Sequence, residues 1–153
     1  MENSIKRITK REETQMVPRY LTDQTGLAVV DVTWGQIQPI QVSEEVQTVG
    51  ELEVMDHLGK GLPVVDVRAP DTYFDKSIPG TIKIPHTEIV DRMHELDRTK
   101  ETIFFCNGPQ CLQSPSAIRK LLDAGYPAEK ILYYRGGMHD WVTLGLPVTK
   151  GNE

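Results

Sequence analysis

The stretch TIFFCNGPQCLQSPSAIRKLLDAGY, Thr102–Tyr126, decides the architecture. Thr102-Ile103-Phe104-Phe105 is apolar and β-branched or aromatic, the composition of a strand buried on both faces. Cys106 follows it directly. The loop Asn107-Gly108-Pro109-Gln110-Cys111-Leu112-Gln113 then leads to Ser114-Pro115, which reads as a helix N-cap with proline at the first helical position. Ile118, Leu121 and Leu122 give that helix a buried face, and Gly125 stops it.

The same alternation extends both ways along the chain. Downstream, Ile131-Leu132-Tyr133-Tyr134 is another strand, followed by Gly136-Gly137 and a helical turn around Trp141. Upstream, Pro63-Val64-Val65-Asp66-Val67 is a short buried strand, and Thr81-Ile82-Lys83-Ile84 is a second one closed by Pro85. Between them Ala69-Pro70-Asp71 opens a short helical turn. Thr87 to Leu96 is expected to be helical, with Ile89, Met93 and Leu96 on one face. Leu52, Met55 and Leu58 recur at helical spacing before Gly59 and Gly61. Strands alternating with helices imply a mainly parallel sheet with helices on both faces, and ligands then bind beyond the carboxyl ends of the strands. Those ends are Asp66-Val67-Arg68, Pro85-His86, Cys106 with its loop, and Arg135-Gly136-Gly137.

Residues 1–45 differ in kind. Lys6, Arg7, Lys10 and Arg11 precede Glu12 and Glu13, as in a solvated arm. The runs MVPRYLT and LAVVDVTW, separated by Asp23-Gln24-Thr25-Gly26, predict a β-hairpin that either covers a sheet edge or serves as an arm for a homodimer. Pro39 breaks the pattern, and residues 35–45 read as a linker. We therefore divide the chain into an extension over 1–45 and a domain over 46–153.

With 153 residues, 39% hydrophobic and 25% charged, the chain has the composition of one ordinary globular domain. Seventeen Lys and Arg against 22 Asp and Glu give a net charge of −5, which argues against nucleic-acid binding. No apolar run approaches the ~20 residues of a membrane span. The start MENSIKRITKREE lacks the apolar core of a secretory signal, so a cytoplasmic location is expected. Two cysteines are too few for a disulfide framework or a cysteine-rich zinc site. His57, His86, His94 and His139 show no metal-binding spacing, so neither a metal nor a cofactor is expected.

Cys106 carries the chemistry. Placed between a strand end and a helix N-terminus, a thiol faces the positive end of the helix dipole and unpaired main-chain N–H groups, which favour the thiolate. Gly108 permits a tight anion-binding turn, while Pro109 removes one donor. The competing reading is a free cysteine buried as a small hydrophobe.

The surrounding residues resemble the rhodanese-like (sulfurtransferase) family. The resemblance rests on Val64-Val65-Asp66-Val67-Arg68, on Ile78-Pro79-Gly80-Thr81-Ile82-Lys83-Ile84-Pro85, on Phe104-Phe105-Cys106 before a helix ending Ala124-Gly125-Tyr126, and on Arg135-Gly136-Gly137-Met138-His139-Asp140-Trp141. These four pieces occur in family order between Val49 and Pro147. The resemblance implies an α/β fold, a small mainly parallel five-stranded sheet flanked by helices, here with an N-terminal β-hairpin extension. It implies that Cys106 is the catalytic nucleophile. The thiolate would take sulfane sulfur from a persulfide or thiosulfate and pass it to a small thiol or an acceptor protein thiol. Asn107, Gly108, Pro109, Gln110, Cys111 and Leu112 would line the substrate site, with Asp66 and Arg68 bracing it.

This chain departs from the family in its loop, which looks extended and holds no Lys or Arg from Asn107 to Gln113, and this disfavours thiosulfate as donor. Arg135 either supplies the missing charge or is an ordinary surface arginine. His86 either borders the pocket or caps the loop. Cys111 either resolves a persulfide or sulfenate on Cys106 or is a packed small residue. Three other functions compete. A phosphatase of the related shape would need arginine six residues beyond Cys106, where Leu112 stands. A non-catalytic interaction module would keep the fold alone. A redox sensor would use Cys106 with Cys111. The donor, the acceptor, the oligomeric state and the role of residues 1–45 are not set by the sequence.

Overall fold

The computed structural model describes residues 36–69 and 77–149, together with the backbone of 19–20 and 28–29. In the extension, β1 (Arg19–Tyr20) pairs antiparallel with β2 (Ala28–Val29), within the two runs expected to form a hairpin. The rest of that hairpin, the basic arm and the turn at Ala69-Pro70-Asp71 beyond Ala69 lie outside the described residues.

The main sheet has five parallel strands: β3 (Gln47–Val49), β4 (Val64–Asp66), β5 (Ile82–Lys83), β6 (Thr102–Phe105) and β7 (Ile131–Tyr134). Their spatial order is β3-β7-β6-β4-β5, which puts β6 in the middle. Residues of β6 pair with β4 on one side (Val65 opposite Phe104) and with β7 on the other (Phe104 opposite Tyr133). Both faces of the sheet are covered, so every residue of β4, β6 and β7 is buried.

The two-residue period of the strands divides the core. Val65, Val67, Phe104, Cys106, Ile131 and Tyr133 point to one face, where Ala117, Ile118 and Leu121 of α2 (Gln113–Asp123) meet Ile89 and Leu96. Val64, Ile103, Phe105, Leu132 and Tyr134 point to the other. There they pack against Val54 of α1 (Glu51–Gly59) and against Met138, Trp141 and Val142 of α3 (Gly137–Thr143). Cys106 thus continues the α2 face of the central strand. Among the described residues no helix is long and apolar enough to cross a membrane.

Four local expectations are corrected. The strand β3 has only three residues and was hidden before the helical pattern it precedes. The buried stripe of α1 is Val54, His57 and half-buried Leu58, whereas Leu52 is 76% and Met55 39% exposed. The polar member misleads: His57 is buried because its Nε2 pairs with the Glu101 carbonyl at 3.0 Å. Residues 86–92 form turns and only Met93–Glu95 a 3₁₀ helix, closed partly by three-residue bonds such as Met93 N–H to Val90 C=O. Ile89 and Leu96 are nonetheless buried as expected. Finally, α2 begins at Gln113, ahead of Ser114, for a reason that belongs to the site below.

The corrected α1 stripe is testable by chemical denaturation. Val54→Ala is expected to cost about 2 kcal/mol, and Leu52→Gln to stay within about 0.5 kcal/mol of wild type. The reverse ranking would restore the Leu52 face.

Candidate active site

At the carboxyl end of β6 the chain must turn sharply, and both ends of the turn are tied down. The Cys106 carbonyl accepts the Met138 N–H at 3.0 Å, and the Asn107 carbonyl accepts the His139 N–H at 2.7 Å. Gly137, at φ +57°, makes this approach close: a Cβ there would lie 2.4 Å from the Cys106 carbonyl oxygen. A Cβ on Gly108 would lie 2.8 Å from the His139 Cβ. The turn closes with the Cys111 N–H on the Gly108 carbonyl at 2.9 Å, which folds Cys111 back toward Cys106.

The sulfur of Cys106 faces α2. The Ser114 N–H, in the first turn of that helix, donates to Cys106 Sγ at 3.2 Å. Leu112, the residue preceding the helix, makes no side-chain cap, so the thiol supplies an acceptor that a capping side chain would ordinarily supply. This is why Ser114 is not the N-cap and the helix starts earlier. Pro115 is then the third helical residue, still among the positions that need no intrahelical N–H partner. The Ser114 hydroxyl is buried and has no other hydrogen-bonding partner among the described residues, so its proton is available to a charged sulfur beside it.

Burial alone pushes the Cys106 thiol up. Hydrogen bonds from the Cys111 thiol, the Ser114 hydroxyl and N–H and the Gly108 N–H outweigh it and hold Cys106 below the ordinary thiol range. Cys111 moves the opposite way, well above that range, through its own burial, its hydrogen bond to Cys106 and the repulsion of a second negative sulfur. Of the two thiols Cys106 is therefore the first to ionise, with Cys111 as an S–H donor to its thiolate. Both cysteines are free thiols. When Cys106 is protonated, its S–H points to the Cys111 carbonyl at 3.6 Å. Tyr133, on the neighbouring strand and the same face, is raised by burial and then by the Cys106 charge, and its hydroxyl is buried without a partner among the described residues.

A buried ion pair braces the loop from behind. Arg68 donates to Asp66 through Nε (3.0 and 3.2 Å) and Nη2 (2.8 Å), and through Nη1 to Asn107 Oδ1 at 3.2 Å. Ser77 Oγ adds a 2.8 Å bond to Asp66. The Ala69 N–H reaches Gln113 Oε1 at 3.3 Å, a second tie from the β4 end to the loop.

A residue of the segment expected to be a linker is tied to the loop. Gln38 donates its N–H to the Pro109 carbonyl at 2.7 Å, and its own carbonyl accepts Arg135 Nη2 (2.7 Å) and Nε (3.1 Å). Arg135 is thus brought beside the loop, with two of its donors spent on this segment. Thr48 Oγ1 holds the Ile40 carbonyl at the segment's far end. Cys106 is 2% and Cys111 3% exposed.

Of the remaining sequence candidates, Leu112 is exposed at the helix start and Gln110 half-buried. His86 follows β5; its N–H donates to the Val67 carbonyl, its carbonyl accepts from Lys120 Nζ, and its buried Nδ1 has no hydrogen-bond partner among the described residues. Burial and then the charge of Lys120 lower its pKa. Among the described residues no group of three or more His, Cys, Asp or Glu is placed to hold a metal. A cleft of about 520 Å³, lined by Leu62, Pro79, Gly80 and Leu96 among others, opens near the amino ends of the strands, away from Cys106.

Comparison with known proteins agrees with this geometry. The rhodanese-like domain family matches residues 50–144. An HTH-type transcriptional regulator of Mycobacterium tuberculosis is 38% identical over 88 residues, which is 58% of this chain and 38% of that protein. A sulfurtransferase of Allochromatium vinosum is 29% identical over 56% of this chain and 76% of its own length. Among solved structures, a rhodanese-related protein from Thermoplasma volcanium superposes with a TM-score of 0.57 at 26% identity, covering 67% of this chain and 97% of that one.

Two measurements probe the site. Arg68→Met leaves Asp66 charged and buried, and should cost about 3–5 kcal/mol in urea denaturation; a loss under about 1 kcal/mol would mean the pair braces nothing. In ultraviolet thiolate titrations the first wild-type thiol should ionise below the ordinary value of about 8.5. Removing a donor to the anion favours the neutral form, so Cys111→Ala and Ser114→Ala should each raise that midpoint. A midpoint that falls or stays put would contradict the assigned donors.

Proposed function

The chain belongs to the rhodanese-like domain family, and from that premise we propose that it moves sulfane sulfur through a persulfide on Cys106. The observation that carries the reading is the sulfur of Cys106 at the end of the central strand, 3.2 Å from the Ser114 N–H and held below the ordinary thiol range. The thiolate attacks the outer sulfur of a persulfide donor, the donor leaves as a thiolate, and the transferred sulfur stays on Cys106 as Cys106–S–SH. The N–H groups of Gly108 and Ser114 and the Ser114 hydroxyl accommodate the anionic sulfur. The relative named sulfurtransferase supports the class of reaction.

Cys106 is 2% exposed, so access requires local opening, and the segment tied to the loop through Pro109 is the candidate to move. Gln38 is held by one main-chain bond to Pro109 and by Arg135, and Ile37 and Ile40 on either side are exposed. Bonds of these kinds contribute about 0.5–3 kcal/mol each, so opening lies within reach of thermal motion.

A second reading is a module whose sulfur state is sensed rather than turned over. It is favoured by the burial of Cys106 and by the likeness to a protein named as a transcriptional regulator, of which this chain spans about two fifths.

Intact-mass measurement separates the readings. With glutathione persulfide and a thiol acceptor, the wild-type chain should move sulfur to the acceptor over many cycles, and Cys106→Ser should neither take up sulfur nor transfer it. Uptake by Cys106→Ser would defeat the assignment, while a single uptake without turnover would favour the sensor. Turnover should be better with the persulfide than with thiosulfate, since the loop from Asn107 to Gln113 has no fixed positive charge. A lower KM for thiosulfate would contradict this.

A further inference from the structure

The enclosed surroundings of Cys106 include a second thiol that sulfur relay to an external acceptor does not use. Cys111 is buried, lies on the same core face, and is folded back by the Gly108–Cys111 turn so that its carbonyl lies 3.6 Å from the Cys106 sulfur. Both cysteines are almost fully enclosed, so an external thiol needs the site to open, whereas Cys111 is already beside Cys106.

We infer that Cys111 is a resolving thiol, which converts the sulfur held on Cys106 into hydrogen sulfide and leaves a Cys106–Cys111 disulfide. The inference rests on the Cys106 persulfide proposed above. The Cys111 sulfur attacks the inner sulfur of Cys106–S–SH, forming the Cys106–Cys111 bond and breaking the bond between the two persulfide sulfurs. The outer sulfur leaves as HS⁻ and takes the proton that Cys111 gives up, so the products are the disulfide and H₂S. The sulfane sulfur is reduced by two electrons, and the two cysteine thiols are oxidised by two. No outside oxidant enters. An external dithiol then reduces the disulfide and returns both thiols.

The attacking form is the thiolate, so Cys111 gives up its proton only as it attacks the persulfide on Cys106. Its attack also occurs where little water competes, because both side chains are enclosed.

The test uses the full chain, fully reduced, freed of small thiols and mixed with one equivalent of glutathione persulfide. Sulfide is measured at the end point, and the protein is weighed intact. The wild-type chain should release about one sulfide per chain and lose the mass of two hydrogens, with digestion linking the peptides of Cys106 and Cys111. Cys111→Ala and Cys111→Ser, two replacements of similar size, should keep the added sulfur and release about tenfold less sulfide. A wild-type chain that keeps its extra sulfur and releases no more sulfide than these variants overturns the resolving role while leaving the persulfide reading intact. If neither the wild type nor the Cys111 variants take up sulfur, the persulfide reading itself has failed, and this one with it.

Discussion

The first N–H groups of a helix need acceptors, and in α2 one of them is met by a sulfur atom from the preceding strand. That single bond joins the two elements that define the unit. It orients the Cys106 side chain toward α2, fixes where the helix starts, and places the helix dipole on the thiol. On the other side of the same residue the carbonyl is held by α3. A cysteine pinned by its main chain to one helix and by its sulfur to another has little freedom to point elsewhere. Its position follows from the sheet order, because only the central strand has a helix-bearing connection of this kind flanked by β4 and β7 on both sides.

The support behind the loop and the segment tied to it through Gln38 differ in strength. The Asp66–Arg68 pair is fully buried and multiply bonded, and Asn107 hangs from it. Breaking it would strand a charge, so the loop's base is a rigid part of the core. Gln38, by contrast, is held through main-chain groups in a segment whose neighbouring isoleucines are exposed. Mobility is therefore expected in the Gln38 segment and not in the loop's base. Pre-organisation of the sulfur and admission of a reactant are assigned to different parts of the chain.

Legibility in the sequence follows the same division. The strands β4, β6 and β7 declared themselves because burial on both faces demands unbroken apolar runs. The family motifs sit on those strands and the turns that leave them. The three-residue β3 carried too few residues to show a period. The face of α1 was misread because a buried polar group, His57, is indistinguishable in sequence from an exposed one until its partner Glu101 is known. In the site, Cys106, Asp66 and Arg68 were singled out from strand ends and motifs. Ser114 was noticed for its capping preference, yet its role depends on an acceptor eight residues back. Gln38 gave no signal, since its ties to Pro109 and Arg135 are made by its own main-chain N–H and carbonyl and are independent of its side chain. Long-range pairing is what a linear pattern does not encode.

The distribution of charge around the thiol narrows the chemistry that it favours. Arg68 is engaged with Asp66 and Asn107, and Arg135 with the Gln38 carbonyl. The groups that face the sulfur are instead neutral dipoles: N–H, O–H and S–H. Neutral donors at short range stabilise a compact monoanion well, because each contributes a directed bond at little desolvation cost of its own. They cannot balance a second negative charge held a few ångströms away in an enclosed space, where water is no longer present to screen it. A site built in this way suits sulfur passing between thiolate, persulfide and disulfide, states that never place more than one charge on the pair. Cys111, kept protonated beside its charged neighbour, obeys the same constraint.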